Sequence, residues 1–430
     1  MIYMATSADY KMKAKATWVF VLINVLSGFD GKPIDPELTQ ETKQLYDILY
    51  KLARDPDHFL FGHHQTTQSG VSGGFPPYQL INHKGFEAWQ FTDSMVDNGD
   101  ADILSDIKLV SGYYPAFVGF EFFQLDPEWL KIQRYLTQKA HSHGMIIAMS
   151  WHLNNIATGG TAWDVRGHKI LRNLLPGGKL NKIYNSYLDI VASYANNLYD
   201  SNGRLIPFVL RLFHESNGAW FWWGLNNTVN NTGEDIQAAH RYVVHYLRDI
   251  RNVHNILYAT SPNAGFANLT AAGTLPAYMA TYPGDDFVDI LGYDDYQNVR
   301  STRTLQRFVD CLAEVVLYSE SKDKIPALTE VGLNLFNEID LIPDWWNDYI
   351  LNSIKGIKYV KKNPATRRIA YVLTWANSCS SAKNCNYYTP WLGHPGQKYF
   401  YNFTQDPMVV LIGKLGYNFS LPFINPRGHF

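Results

Sequence analysis

Eight short runs rich in Val, Ile, Phe and Tyr punctuate this chain, and longer amphipathic stretches separate most of them. Runs of that length and composition read as strands. They are Phe59–Gln65, Ala116–Phe122, Met145–His152, Pro207–Glu215, Ile256–Pro262, Phe287–Tyr296, Ile325–Gly332 and Ile369–Asn377. Helical patterns are clearest over Glu128–His143, Lys182–Tyr199, Glu234–Val253, Leu305–Ser319 and Trp345–Lys361, and Leu38–Arg54 reads as an opening helix. Eight strands alternating with helices over about 320 residues point to an α/β fold closed as a single (β/α)8 TIM barrel. An open, doubly wound sheet is the alternative, but no Gly-rich fingerprint follows the first strand. No linker, repeat or low-complexity block divides the chain. The Pro-, Gly- and aromatic-rich tail Tyr387–Phe430 is expected to pack on the barrel.

Most of these strands end in polar residues. The first ends in Gly62-His63-His64-Gln65, the second in Glu121 and the third in Trp151-His152. The fourth ends in His214-Glu215 and the sixth runs Tyr293-Asp294-Asp295-Tyr296. The seventh ends in Thr329-Glu330 and the eighth in Trp375-Ala376-Asn377. Polar groups at one end of most strands are what an active site at the C-terminal mouth of a barrel requires.

Two glutamates stand out. Glu215 follows an apolar run and precedes Trp220, Phe221, Trp222 and Trp223; Glu330 closes Ile325–Thr329. Aromatic faces pack on the C–H faces of pyranose rings, and glycoside hydrolysis needs two carboxyl groups flanking the scissile bond. Their separation decides between retention and inversion, and sequence does not give it. Glu121 is expected to bind sugar or to pair with Arg211, and Asp294 and Asp295 to join the site or an ion pair. His214-Glu215 lacks the second histidine of H-E-x-x-H and sits on a strand, so a zinc protease is rejected. His63-His64 and His141-x-His143 read better as structural residues than as metal ligands. No cofactor or metal is expected.

Net formal charge is −2, with no long basic run, which excludes a cationic nucleic-acid footprint. Lys11, Lys13 and Lys15 precede the apolar run Ala16–Leu26 and the small residues Ser27 and Gly28, the pattern of a secretory signal over residues 1–28, with Met12 an alternative start. The catalytic domain would then be 29–430. That run is too short to cross a membrane, which takes roughly 20 residues. Five N-x-Ser/Thr triplets, at Asn226, Asn230, Asn268, Asn402 and Asn418, fit secretion. Cys379 and Cys385 are spaced to close a small loop in an oxidising compartment, leaving Cys311. A secreted monomer that meets a polysaccharide, without membrane or nucleic-acid partners, is the expectation.

The run from Arg211 to Gly224 resembles the acid/base segment of glycoside hydrolase family 26, best known for endo-β-1,4-mannanases. The resemblance continues through Gly62–Gln65, Ser150-Trp151-His152, Gly292-Tyr293, Thr329–Gly332 and Thr374-Trp375, in order over roughly residues 40–400. It implies a retaining enzyme with Glu215 as acid/base and Glu330 as nucleophile. It further implies that His214 holds the site, that Trp220 stacks on a sugar beyond the scissile bond, and that His152 contacts the sugar on the non-reducing side. Tyr293 would hydrogen-bond the nucleophile, Trp375 would floor the scissile-sugar subsite, and Trp163 would line the mouth. Some members carry an arginine after the eighth-strand tryptophan, where this chain has Ala376. Mixed-linkage β-glucan and β-1,3-xylan are alternative substrates within the family. A non-catalytic carbohydrate-binding protein is the alternative outside it.

Overall fold

The computed structural model describes residues 31–71, 79–83, 86–90, 104–123, 125–263, 275–334, 342–381 and 384–414. The segment read as a secretory signal, Asn268 and Asn418 lie outside these residues. Each of the eight expected strands forms: β1 (Phe59–His64), β2 (Phe117–Glu121), β3 (Ile146–Ser150), β4 (Phe208–Arg211), β5 (Ile256–Thr260), β6 (Ile290–Asp295), β7 (Ile325–Val331) and β8 (Tyr371–Thr374). Each pairs in parallel with the next, and β8 returns to β1 through Leu60–Tyr371 to His63–Thr374, closing the barrel. The strands are shorter than the apolar runs that contain them. The fourth stops at Arg211, four residues before Glu215, because the chain there turns out of the ladder.

Side chains that point inward form the barrel interior. Leu60, Phe117, Ala148, Val209, Leu257, Ile290, Ala327 and Tyr371 belong to one buried cluster, and the opening helix Gln40–Leu52 plugs its lower end with Leu45, Tyr46 and Leu49. Thr39 caps that helix by accepting the Thr42 N–H at 3.2 Å. The alternate residues point outward. Val118, Phe120, Ile147 and Met149 pack under helices on one side, and Phe59, Phe61, Leu291 and Leu328 on the other. This period-two alternation sets which polar residues at the mouth can reach the centre.

Two helices depart from their expected form. Glu234–Val253 is α-helical over Gly233–His245, behind a Thr232–Asp235 capping box, and then widens into a π-helical turn at Tyr246–Ile250. Trp345–Lys361 forms a π-helical turn over Trp346–Leu351 and a short helix that ends at the left-handed Gly356. The part of the tail that the structure describes does pack on the barrel. Val409–Ile412 lies parallel to the lower half of β1, through Phe59–Val409 and Leu60–Val410, while the upper half pairs with β2. The same segment runs antiparallel to Tyr114–Pro115, so it fills the seam between the first two strands. Above the mouth, Ser378–Ser381 and Asn384–Asn386 form a hairpin closed by the Cys379–Cys385 disulfide, and Cys311 is buried. No described helix is long and apolar enough to cross a membrane.

Candidate active site

A cavity of about 830 Å³ opens at the C-terminal ends of the strands. Glu215 and Glu330 both line it, with His152, Trp163, His214, Trp220, Tyr296 and Trp375. Glu215 is 8 % exposed and Glu330 5 %. One carboxylate oxygen from each of them and one from Asp294 all lie within 4.8 Å of one another.

Backbone irregularities aim both glutamates. After β4, Phe213 (φ 44°) and Glu215 (φ 52°) take left-handed conformations that cost non-glycine residues about 1–3 kcal/mol each. The surroundings hold them there: the Glu215 N–H donates to the Ser261 carbonyl at 2.7 Å, and the Trp223 indole donates to the His214 carbonyl at 2.9 Å. On β7, Leu328 points outward, so simple alternation would send Glu330 outward too. The register between β6 and β7 slips by one residue: Tyr293 pairs with Leu328, but Asp294 pairs with Glu330. This bulge turns Glu330 into the mouth, a known use of bulges beside active sites.

The environments of the two carboxylates differ. Glu215 accepts hydrogen bonds from Asn263 Nδ2 at 2.9 Å and from the Trp220 indole at 2.7 Å. Burial, and next the negative charge of Glu330, push its carboxyl up to about 7, so it holds a proton near neutrality. Glu330 accepts from Tyr296 Oη at 2.6 Å on one oxygen and from Arg211 on the other. Arg211, 3 % exposed, also donates to Asp294 at 2.8 Å and to Ser150 and Ser261. Its guanidinium is thus the cation among the acidic groups. Those three carboxylates have the spacing of a metal site, but the arginine already supplies the charge that an ion would bring.

Several expected roles change. Tyr293 does not touch Glu330: it is fully buried on the outward face of β6 beside Phe308, and its hydroxyl donates to Asp295 at 2.7 Å. Alternation explains this, because Asp294 points inward and Tyr293 must point out. Tyr296 instead makes the hydrogen bond to Glu330. Glu121 is fully buried, does not line the cleft, and lies against His152, with 3.0 Å between its Oε2 and His152 Nδ1. It is therefore not a sugar contact. His152 lines the cleft, but Nε2 is 3.0 Å from His214 Nε2, so both ring nitrogens face protein groups. His214 is buried behind Glu215, and burial holds its imidazole neutral.

The aromatic wall divides by burial. Trp222 and Trp223 are core, while Trp220 is partly exposed in the cleft. Its ring lies over Gly218, where a Cβ would collide with the indole. Trp375 lines the floor and packs on His64 at 4.6 Å, and Trp163 stands 55 % exposed at the rim.

A glycosyl hydrolase family 26 model matches residues 34–368. A mannan endo-1,4-β-mannosidase from Bifidobacterium adolescentis is 34 % identical over 285 residues, 65 % of this chain. The match spans only 27 % of that longer relative. Among solved structures, the catalytic domain of an endo-β-1,4-mannanase from Bacillus sp. JAMB-750 superposes with a TM-score of 0.75 at 30 % identity, covering 92 % of this chain and 97 % of the other. A β-mannanase from Bacteroides ovatus gives 0.71 at 28 % identity, covering 91 % and 99 %. The barrel, the order of its motifs and these likenesses agree: the chain belongs to glycosyl hydrolase family 26.

Proposed function

We propose that this chain is an endo-acting β-1,4-mannanase that cleaves mannan, glucomannan or galactomannan with retention of anomeric configuration. One observation carries the mechanism: the Glu215 and Glu330 oxygens approach within 4.8 Å. Retaining enzymes hold their carboxyl groups about 5–5.5 Å apart, whereas inverting ones leave roughly 6.5–9.5 Å for a water. The mannan specificity rests on the relatives' names and on a deep cleft with aromatic walls.

Glu330, oriented by Tyr296 and Arg211, attacks the anomeric carbon while protonated Glu215 donates to the departing glycosidic oxygen. The bond to the leaving sugar breaks as the glycosyl–Glu330 ester forms. Esterification removes the negative charge that raised Glu215. Its carboxyl then falls toward its ordinary range and takes a proton from water, which attacks the ester and frees Glu330. Asn263 and Trp220 fix both oxygens of Glu215 through these steps.

The test is reducing-sugar release from mannan, mixed-linkage β-glucan and β-1,3-xylan side by side, with Glu215→Gln as control. Proton NMR of the first product decides the anomer. Faster release from either alternative polysaccharide, or an inverted first product, overturns the reading. We further propose a secreted, N-glycosylated monomer. The basic-then-apolar leader, the Cys379–Cys385 disulfide and the exposed Asn226, Asn230 and Asn402 support this. Mass spectrometry and light scattering of the protein from a eukaryotic culture medium would test it.

A further inference from the structure

Glu330 is aimed in part by the Tyr296 hydroxyl, which donates to its Oε2 at 2.6 Å. A phenol fixes a carboxylate only as firmly as its own ring is fixed. The Tyr296 ring stands edge-on to Tyr388, with centroids 5.6 Å apart and planes at 63°. Both rings close over Gly332, which follows Glu330 and Val331. A Cβ at Gly332 would lie 2.5 Å from Tyr388 Cδ1 and 3.2 Å from Tyr296 Cε1. Its backbone is not left-handed, so the missing side chain here makes room for the two rings rather than for an unusual turn.

Tyr388 is itself clamped from two directions. Asn377, buried after β8, accepts the N–H groups of Tyr388 at 2.8 Å and of Thr389 at 3.1 Å on its Oδ1. Its Nδ2 donates to the buried Asp106 at 2.8 Å and to the Thr389 carbonyl at 3.0 Å. Asn334, beyond β7, accepts the Tyr387 N–H at 3.3 Å and donates to Asn386 Oδ1 at 2.8 Å. The hairpin that delivers this segment is closed by the Cys379–Cys385 disulfide. Tyr387 turns into a small buried cluster with Val71 and Trp391, and Tyr388 lines the cleft. Support of this kind is what holds a reacting group within about 0.5 Å of its working position.

We propose that Tyr388 is a positioning residue for Glu330, acting through the Tyr296 ring, with the disulfide-closed hairpin as its mount. The proposal rests on reading Glu330 as the nucleophile. Without the Tyr388 ring, Tyr296 can swing into the space left behind. Its hydroxyl then leaves Glu330, and the carboxylate is left to Arg211 on its other oxygen.

A mannobiosyl fluoride that carries a second fluorine beside the anomeric carbon isolates this step. Glu330 bonds to the anomeric carbon as fluoride leaves with its electron pair, and fluoride needs no proton from Glu215. The second fluorine slows hydrolysis of the ester, which accumulates and is read by mass spectrometry. Tyr388→Ala should slow labelling about 10-fold, as loss of alignment does, while Tyr388→Phe, which keeps the ring, should stay within about 2-fold of wild type. On mannan the alanine variant should lose kcat by a like factor with KM within about 2-fold; a ring that merely contacts sugar would move KM instead. In a Tyr296→Phe background, Tyr388→Ala should cost less than about 2-fold more, because the route it acts by is already gone. If Tyr388→Ala does not fold, Gly332→Ala carries the same test by pushing on both rings from the backbone side. Equal labelling rates in wild type and variant, or losses that simply multiply across the cycle with Tyr296→Phe, overturn the proposal. No label in the wild type instead overturns the mannanase reading, and the cycle on whichever polymer is cleaved still decides Tyr388.

Discussion

Replacing Glu215 by glutamine should remove a pH-dependent loss of stability. Burial and then Glu330 raise the Glu215 carboxyl from 4.5 to about 7 in the folded protein. The folded state therefore binds this proton more tightly than the unfolded chain does. The resulting stabilisation is complete below about pH 4.5 and is lost as pH rises through about 7. At about 1.4 kcal/mol for each pH unit between the two values, the loss over the whole range is about 3–4 kcal/mol. The glutamine side chain has no proton to lose, so the variant lacks this slope. Its amide can satisfy one of the two donors, Asn263 and Trp220, but not both, at a cost of roughly 1–2 kcal/mol that does not change with pH. Urea unfolding of both proteins at about pH 5 and about pH 8.5 separates the slope from this offset. The stability difference should move in favour of the variant by about 2–3 kcal/mol between the two conditions. The same ionisation should end the wild type's kcat/KM plateau near pH 7, because the acid form of Glu215 disappears. A stability difference that stays within about 0.5 kcal/mol across the range would refute a proton held on Glu215.

Other outcomes follow from the same geometry. Glu330→Ala should abolish hydrolysis yet bind oligosaccharide, which calorimetry checks; near-normal turnover would remove Glu330 from the nucleophile role. Tyr296→Phe should lower kcat about 10- to 100-fold by releasing one oxygen of Glu330, whereas Tyr293→Phe should leave kcat intact and cost about 1 kcal/mol of stability. The reverse pattern would restore the assignment made from the family motif. Arg211→Met leaves Asp294 and Glu330 buried without their cation, and denaturant unfolding should show a loss of about 3–5 kcal/mol.

The sequence was most legible where burial on both strand faces writes itself as continuous apolar runs. All eight barrel strands lie within such runs, and their polar ends locate the mouth. The orientation of single residues was harder to read. The family motif points to Tyr293 alone as the partner of Glu330, whereas strand alternation from the inward Asp294 turns Tyr293 away from the mouth. Glu121 looked like a sugar ligand because it ends a strand, but the residue that covers it, His152, comes from the neighbouring strand's loop. The β7 bulge depends on pairing with β6, so nothing local to Thr329-Glu330 announces it.

The Val409–Ile412 segment in the seam gives the barrel an order of assembly. Its partners on β1 lie 350 residues earlier, and the Phe59 N–H donates to the Met408 carbonyl at 2.9 Å. During synthesis the ribosome delivers β1 and β2 long before the strand that seals the space between their lower halves. Until then, the backbone of Phe59 leaves an open edge able to pair with another nascent chain. Closure of that edge is a late, long-range event. A chain cut just before Met408 would keep both Glu215 and Glu330 and still be the form most prone to associate with itself.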